Sequence, residues 1–228
     1  MSNKHTITSM SNIWVIGDIA GQYDALMRLI ARLPAKAKII SVGDIVDRGP
    51  KSFEVVKHFM ENPQHTVVLG NHEHMMVEHI TDRNYYSRDC WLMNGGGKTY
   101  ESFHQNGVDL MSPVEAEPYV NWILDLPVLF VSGGLFVSHA PYAKHMKLQG
   151  IGPDHYSGYS VENSIIWNRT PPEPMPEMFQ MFGHNSHVGL KTYYDDDGKP
   201  YALCTDDSRS EVLTAVHFPT LTTIQEGF

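Results

Sequence analysis

The chain has 228 residues, 42% of them hydrophobic, and a formal net charge of −9 when its 13 histidines are counted as neutral. The length favours a single domain over residues 1–228, and the negative charge argues against a duplex nucleic-acid partner. No apolar run approaches the roughly 18 residues of a membrane span. The two cysteines form no CxxC pair and the N-terminus has no apolar signal segment, so we expect a cytoplasmic protein without a membrane partner.

Short apolar runs alternate with helical patterns in the first third of the chain. Ile13–Ile16 is a predicted buried strand, and a helix over 22–33 follows it, because apolar residues recur there at helical spacing. Residues 38–42 and 66–69 are the next predicted strands, each followed by a predicted helix. This βαβ order predicts a mostly parallel sheet with helices on its faces.

The remainder of the chain combines an irregular stretch with further short strands. Residues 81–113 are predicted to be irregular, and NGGGK at 94–98 is interpreted as a turn, because a phosphate loop would have Ser or Thr after the lysine. A helix is predicted over 114–126, and Ser-Gly-Gly at 132–134 indicates a hairpin. Later strands are predicted at 178–182, 190–194, 201–204 and 212–216.

Five candidate metal ligands share one position, directly after a predicted strand. Asp18 in GDIAGQ, Asp44 in GDIVDRG and Asn71 in GNHE follow the first three strands. His139 in SHAP and His184 in FGHN follow two later ones. The carboxyl ends of strands in an open α/β sheet lie along one crevice, so these side chains are expected to converge. Mixed oxygen and imidazole ligands suit Mn²⁺ or Fe²⁺ better than Mg²⁺ or Ca²⁺.

These motifs resemble those of the metal-dependent phosphoprotein phosphatases in the calcineurin-like metallophosphoesterase superfamily, most closely the bacteriophage lambda type. IWNR at 166–169 matches as well, and looser similarity continues through WLMNGGG at 91–97. The resemblance implies an α/β fold with a central β-sandwich of mixed sheets flanked by helices, and a phage or bacterial source. It also implies a phosphomonoester hydrolase that uses two Mn²⁺ ions to activate water. The expected substrates are phosphoserine and phosphothreonine proteins or phosphopeptides, with phosphotyrosine as a further one.

The resemblance assigns a role to each candidate ligand. Asp18 would bind the first metal, and Asp44 would bridge both metals. Asn71, His139 and His184 would hold the second metal, and Asn71 would also contact the phosphate.

Other matching residues would handle the phosphate and the proton. Arg48 and Arg169 would bind the phosphate, because a guanidinium fork matches phosphate oxygens. His72 would be the catalytic acid that protonates the leaving oxygen, and Asp47 would orient it. Glu73 would support the site near Arg48. The structural alternatives are a surface ion pair between Arg48 and Glu73, and a helix-start role for Asp47.

One position departs from the family pattern. The first motif of the family is GDxHG, whose histidine binds the first metal, whereas this chain has Ala20 there. Four interpretations stay open: a weakened two-metal site completed by water, a one-metal enzyme, a site completed by Gln22 or His187, and an inactive protein, natural or engineered.

Two other functions also stay open. One is a dinucleoside tetraphosphate hydrolase of the same superfamily. Because the second motif of such enzymes departs from VDRG, the intact Asp47 favours protein substrates. The other is a phosphoprotein-binding module without catalysis, which Ala20 suggests.

Overall fold

The computed structural model describes residues 12–82, 90–144 and 165–228. The expectation that no signal segment is present concerns residues 1–11, and part of the predicted irregular stretch concerns 83–89, so both lie outside the described residues. In the described ranges no helix combines the length and the apolar character that a membrane crossing requires.

The first part of the described chain alternates strands and helices. The elements are β1 Ile13–Ile16, α1 Tyr23–Arg32, β2 Lys38–Ser41, α2 Ser52–Glu61, β3 Thr66–Val67 and α3 Asn71–Asp82. The later helices are a π-helix Leu92–Gly96, α4 Gly97–Gln105, α5 Pro113–Leu124 and a 3-10 helix Ser208–Ser210. The later strands are β4 Leu129–Ser132, β5 Leu135–Ser138, β6 Phe179–Phe182, β7 Lys191–Tyr194, β8 Pro200–Cys204, β9 Val212–Phe218 and β10 Thr223–Gly227.

The strands form two mixed sheets of five strands. The first has the order β10-β9-β1-β2-β3, and the second has the order β4-β5-β6-β8-β7. β1, β2 and β3 are parallel, as the βαβ pattern predicts, while β9 runs antiparallel to β1. β4 and β5 form the predicted antiparallel hairpin, and β5, β6 and β8 are parallel.

The alternation of side chains along β1 shows where the cores lie. Ile13 and Val15 join a buried cluster that also contains Val137 of β5, so they pack between the two sheets. Trp14 and Ile16 point to the opposite face and join the larger cluster, which contains residues of the helices. The fold is therefore an α/β sandwich of two mixed sheets flanked by helices, as the resemblance implies.

Two parts of the described chain differ from the sequence prediction. Residues 92–105, predicted to be irregular, are largely helical, and the chain turns at Gly95, whose φ of +108° is not helical. A Cβ on Gly96 would lie 2.4 Å from the ring of Trp91, so only glycine allows this turn to pack against the indole. β10 has no counterpart among the predicted strands; it extends the first sheet as an edge strand paired with β9.

Candidate metal and phosphate site

The five candidate ligands lie at strand ends on both sheets, and all are buried. Asp18 follows β1, Asp44 follows β2, and Asn71 begins α3. His139 follows β5, and His184 follows β6. The parallel strands within each sheet bring these ends to one edge of the sandwich, as expected for ligands at the carboxyl ends of strands.

Four of these side chains meet around the amide of Asn71, and we call them the Asn71 cluster. Oδ1 of Asn71 lies 2.8 Å from Nε2 of His139 and 2.9 Å from Nδ1 of His184. Oδ1 of Asp44 lies 3.3 Å from the same Nε2 of His139. The ligand atoms of Asp44, His139 and His184 all lie within 4.8 Å of one another. This spacing is close to that of ligands sharing one ion.

The outer hydrogen bonds of the two imidazoles orient their lone pairs toward the cluster. Nδ1 of His139 lies 2.8 Å from the carbonyl oxygen of Val42, which can only accept, so this nitrogen carries the hydrogen. Nε2 of His184 lies 3.3 Å from the carbonyl of Trp167 in the same way. Burial lowers the pKa of His184 to about 3, which keeps this ring neutral.

The Asn71 cluster therefore brings several hydrogen-bond acceptor atoms close together. Nε2 of His139 faces oxygens of both Asn71 and Asp44, and only a proton or a cation between them removes the repulsion. Two imidazole lone pairs, an amide oxygen and a carboxylate form a donor set that suits a divalent transition ion. The main-chain carbonyls that hold the outer ring nitrogens are the usual partners of metal-binding histidines.

Asp18 lies beside the cluster in a buried acidic environment. It accepts the backbone N–H of His184 at 3.2 Å, and a Cβ on Gly183 would lie only 1.9 Å from its Oδ1. Burial, followed by the charges of Asp206 and Asp44, raises the pKa of Asp18 well above its usual value. Asp206, which is not among the candidate ligands of the sequence, is buried as well. A bound cation would relieve the repulsion among these carboxylates.

Ala20 offers only its main chain to this region. Its N–H donates to the carbonyl of Asp44 at 2.8 Å, and its carbonyl accepts the N–H of Gly49 at 2.9 Å. The GDIAGQ turn is thus fixed against the GDIVDRG loop without a side-chain ligand. In the described residues, His187 belongs to no group of three closely spaced His, Cys, Asp or Glu ligand atoms.

His72 and Asp47 form a buried hydrogen-bonded pair next to the cluster. Oδ2 of Asp47 lies 2.6 Å from Nδ1 of His72. Burial by itself lowers the pKa of His72, but the charge of Asp44 and the hydrogen bond and charge of Asp47 raise it above its usual value. Nη2 of Arg48 lies 2.8 Å from Nε2 of His72. Because arginine only donates, Nε2 is the acceptor in this arrangement.

The two arginines lie at the exposed mouth of the site, on different segments. Arg48 contacts His72, whereas Nη1 of Arg169 lies 3.3 Å from both the carbonyl of His184 and the side-chain oxygen of Asn185. The turn that carries Arg169 is fixed by buried Asn168, whose amide donates to the main chain at 2.8 Å. The arginines can therefore approach one bound anion from two directions.

The expectation for Glu73 needs correction. Its carboxylate is hydrogen-bonded by backbone N–H groups rather than by the side chain of Arg48. The carboxylate accepts four of them, at 2.8 to 3.2 Å, from Asp44, Ile45, Val46 and Gly70. The buried carboxylate thus fixes the loop that presents Asp44. The GNHE string alone could not show this, because the partners are main-chain groups.

Comparison with known proteins relates the chain to phosphoesterases. The model of the calcineurin-like phosphoesterase family matches residues 11–206. The chain is 29% identical over 209 residues to serine/threonine-protein phosphatase 2 of Escherichia coli (strain K12), covering 83% of this chain and 88% of that protein. It is 27% identical over 131 residues to a symmetrical bis(5'-nucleosyl)-tetraphosphatase of Dechloromonas aromatica (strain RCB), covering 56% and 42%.

Solved structures share the fold at low identity. A cold-active protein-tyrosine phosphatase of a psychrophilic Shewanella species has a TM-score of 0.63 at 13% identity, covering 96% of this chain and 81% of that chain. A metallophosphoesterase from Sphaerobacter thermophilus has a TM-score of 0.57 at 18% identity, covering 94% and 87%. The chain therefore belongs to the calcineurin-like phosphoesterase family and is an enzyme that hydrolyses phosphoesters.

Proposed function

We propose that this enzyme hydrolyses phosphomonoesters of proteins, with phosphoserine and phosphothreonine as its main substrates and phosphotyrosine as a further one. The observation that carries the proposal is the buried His72–Asp47 pair, at 2.6 Å, beside the Asn71 cluster. A serine or threonine alkoxide is a poor leaving group, so its departure benefits strongly from a positioned proton donor.

The Asn71 cluster would hold a divalent ion, and Mn²⁺ suits its mixed oxygen and imidazole donors. The ion would supply charge neutralisation at the phosphate and a water activated for attack. Asp18 and Asp44 would offer a second position that Ala20 leaves short of a ligand. We therefore propose that the position in the Asn71 cluster fills first, and that the position at Asp18 binds more weakly.

The side chains of this protein would divide the remaining work. Arg48 and Arg169 would bind the phosphate oxygens from two sides. His72 would give the proton on Nε2 to the leaving oxygen as the phosphorus–oxygen bond of the ester breaks and the water oxygen bonds to phosphorus. Nη2 of Arg48 lies 2.8 Å from Nε2 of His72 and donates a hydrogen bond to it. Phosphate binding would therefore have to draw the guanidinium away from His72 before Nε2 can carry the proton.

A second candidate is hydrolysis of dinucleoside tetraphosphates, which the similarity to bis(5'-nucleosyl)-tetraphosphatases favours. The leaving group in such a reaction is a nucleotide phosphate, which departs without a proton donor more readily than an alkoxide. The complete His72–Asp47 pair therefore favours the protein substrate.

Steady-state kinetics with Mn²⁺ test the choice. We expect a higher kcat/KM for a phosphoserine peptide than for diadenosine tetraphosphate, and the reverse order would overturn the proposal. If neither substrate is hydrolysed while the phosphopeptide binds, and Ala20→His then gives turnover, the chain is a phosphoprotein-binding module.

A further inference from the structure

Two residues to which the sequence analysis assigned no role bind the carboxylate of Asp47. Nε1 of Trp91 lies 3.0 Å from Oδ2 and 3.1 Å from Oδ1 of Asp47. The hydroxyl of Thr99 donates to Oδ1 at 2.6 Å. Together with Nδ1 of His72, these donors surround the carboxylate, and all four side chains are buried. The orientation of the carboxylate is therefore set by Trp91 and Thr99 as much as by His72.

The same segment also holds the backbone on which Asp47 and Arg48 sit. Both residues have left-handed φ values, +72° and +60°, which cost non-glycine residues free energy. The N–H of Asp47 donates to the hydroxyl of Thr99 at 2.8 Å, and the N–H of Arg48 donates to the carbonyl of Gly95 at 3.3 Å. Thr99 thus contacts Asp47 at both its main chain and its carboxylate.

The position of the indole is itself fixed on two sides. Gly96 lies against the ring face, where any Cβ would clash, and the ring of His79 lies with its centroid 4.7 Å from that of Trp91. The indole N–H therefore has little freedom to leave Asp47. A tryptophan that served only to fill the core would not require its one polar atom to lie on a catalytic carboxylate.

We propose that Trp91 and Thr99 are positioning residues of the proposed reaction, which hold the Asp47 carboxylate in the orientation that accepts the Nδ1–H of His72 and directs Nε2 toward the leaving group. This inference rests on the proposed function. Removal of either donor would leave Asp47 free to rotate and His72 free to change tautomer, while the phosphate-binding arginines and the Asn71 cluster remain in place.

The test compares two phosphomonoesters that differ in how much they need a proton donor. Trp91→Phe and Thr99→Val should each lower kcat for phenyl phosphate by about ten-fold or more, with a clearly smaller loss for p-nitrophenyl phosphate and little change in KM. Thr99→Ser keeps the hydroxyl and should restore most of the activity. Equal losses on both substrates, or a Thr99→Ser variant as impaired as Thr99→Val, would overturn the inference.

A matched control and a second readout separate this inference from the proposed function. Trp122→Phe removes an indole from α5 and should leave the leaving-group dependence unchanged. The tautomer of the neutral His72 ring, measured from its imidazole ¹⁵N shifts at a pH above its pKa, should be Nδ1–H in the wild type and mixed in Trp91→Phe and Thr99→Val. If the wild type hydrolyses neither ester, the proposed function fails, and the ¹⁵N shifts still decide the inference: an unchanged tautomer in both folded variants refutes it.

Discussion

The side-chain oxygen of Asn71 lies 2.8 Å from Nε2 of His139, although the outer nitrogen of that ring already bonds a carbonyl. Two acceptors at this distance need a cation or a proton between them. If that cation is a metal ion, His139→Ala should weaken Mn²⁺ binding by about 100-fold or more. Loss of a residue that only hydrogen-bonds a metal ligand already lowers metal affinity by ~10–100-fold. Isothermal titration calorimetry measures the affinity. The exposed His104→Ala on α4 is the matched control, and equal affinities in the two variants would contradict the prediction.

The missing ligand at position 20 predicts a change in metal stoichiometry. Ala20→His should raise the number of Mn²⁺ ions bound per chain from one to two at an intermediate Mn²⁺ concentration, because the added imidazole completes the position at Asp18. Histidine tolerates the left-handed φ of +47° at this residue better than most side chains do. Metal analysis after equilibrium dialysis gives the count. An unchanged count would show that the wild-type site is already complete.

The pair of Asp47 and His72 predicts a loss in kcat with little change in substrate binding. Asp47→Asn should lower kcat on a phosphoserine peptide by about 10²–10⁴-fold, because the proton donor loses its partner. KM and the Mn²⁺ content should stay close to those of the wild type. Asp196→Asn, in an exposed turn, is the control. A change in kcat smaller than three-fold would exclude His72 as the catalytic acid.

The four N–H bonds of Glu73 predict a large effect on folding stability. Glu73→Gln should lower the free energy of unfolding by about 3 kcal/mol, because the amide turns donors toward backbone N–H groups in a buried site. Urea denaturation measures this change. Glu101→Gln, which breaks an exposed pair with Lys98, should change stability by less than about 1 kcal/mol. Similar losses in both variants would contradict the structural role of Glu73.

The lowered pKa of His74 predicts that the free energy of unfolding depends on pH. Burial lowers the pKa of His74 to about 4, below its usual value, while Trp167 and Glu78 are the groups beside it. The unfolded chain therefore takes up this proton near pH 6.5 and the folded chain only near pH 4, so the stabilisation present above pH 6.5 is lost as the pH falls toward 4. Between pH 7 and 4.5 this loss should be about 2 kcal/mol, and His74→Gln should not show it. Parallel pH profiles of the two proteins in urea denaturation would contradict the shift.

The strand ends that carry the site residues could be predicted from the sequence, because each depends on residues next to it in the chain. Each of Asp18, Asp44 and Asn71 follows a short apolar run, and parallel βαβ connections leave few choices for where those ends meet. The pattern could not show how each carboxylate is held. Glu73 bonds main-chain groups, and Asp47 bonds Trp91 and Thr99, which lie 44 and 52 residues away along the chain.

The chain does turn at Gly95, within the NGGGK segment at 94–98 that was predicted to be a turn, but the helical residues on both sides were not predicted, because glycine is costly in helices. At Gly95 and Gly96, closeness to the Arg48 backbone and the Trp91 ring favours residues without a Cβ. These contacts are tertiary, and local propensity does not contain them. The WLMNGGG similarity was the one available signal that this segment belongs to the site.

The central claim is that the Asn71 cluster is the principal metal position of a phosphomonoester hydrolase. Anomalous diffraction from crystals grown with Mn²⁺ tests it most directly, because it locates the ion independently of activity. We predict a peak bonded to Asp44, Asn71, His139 and His184, with a weaker peak, or none, at Asp18. A strong peak elsewhere, with the Asn71 cluster empty at saturating Mn²⁺, would contradict the account.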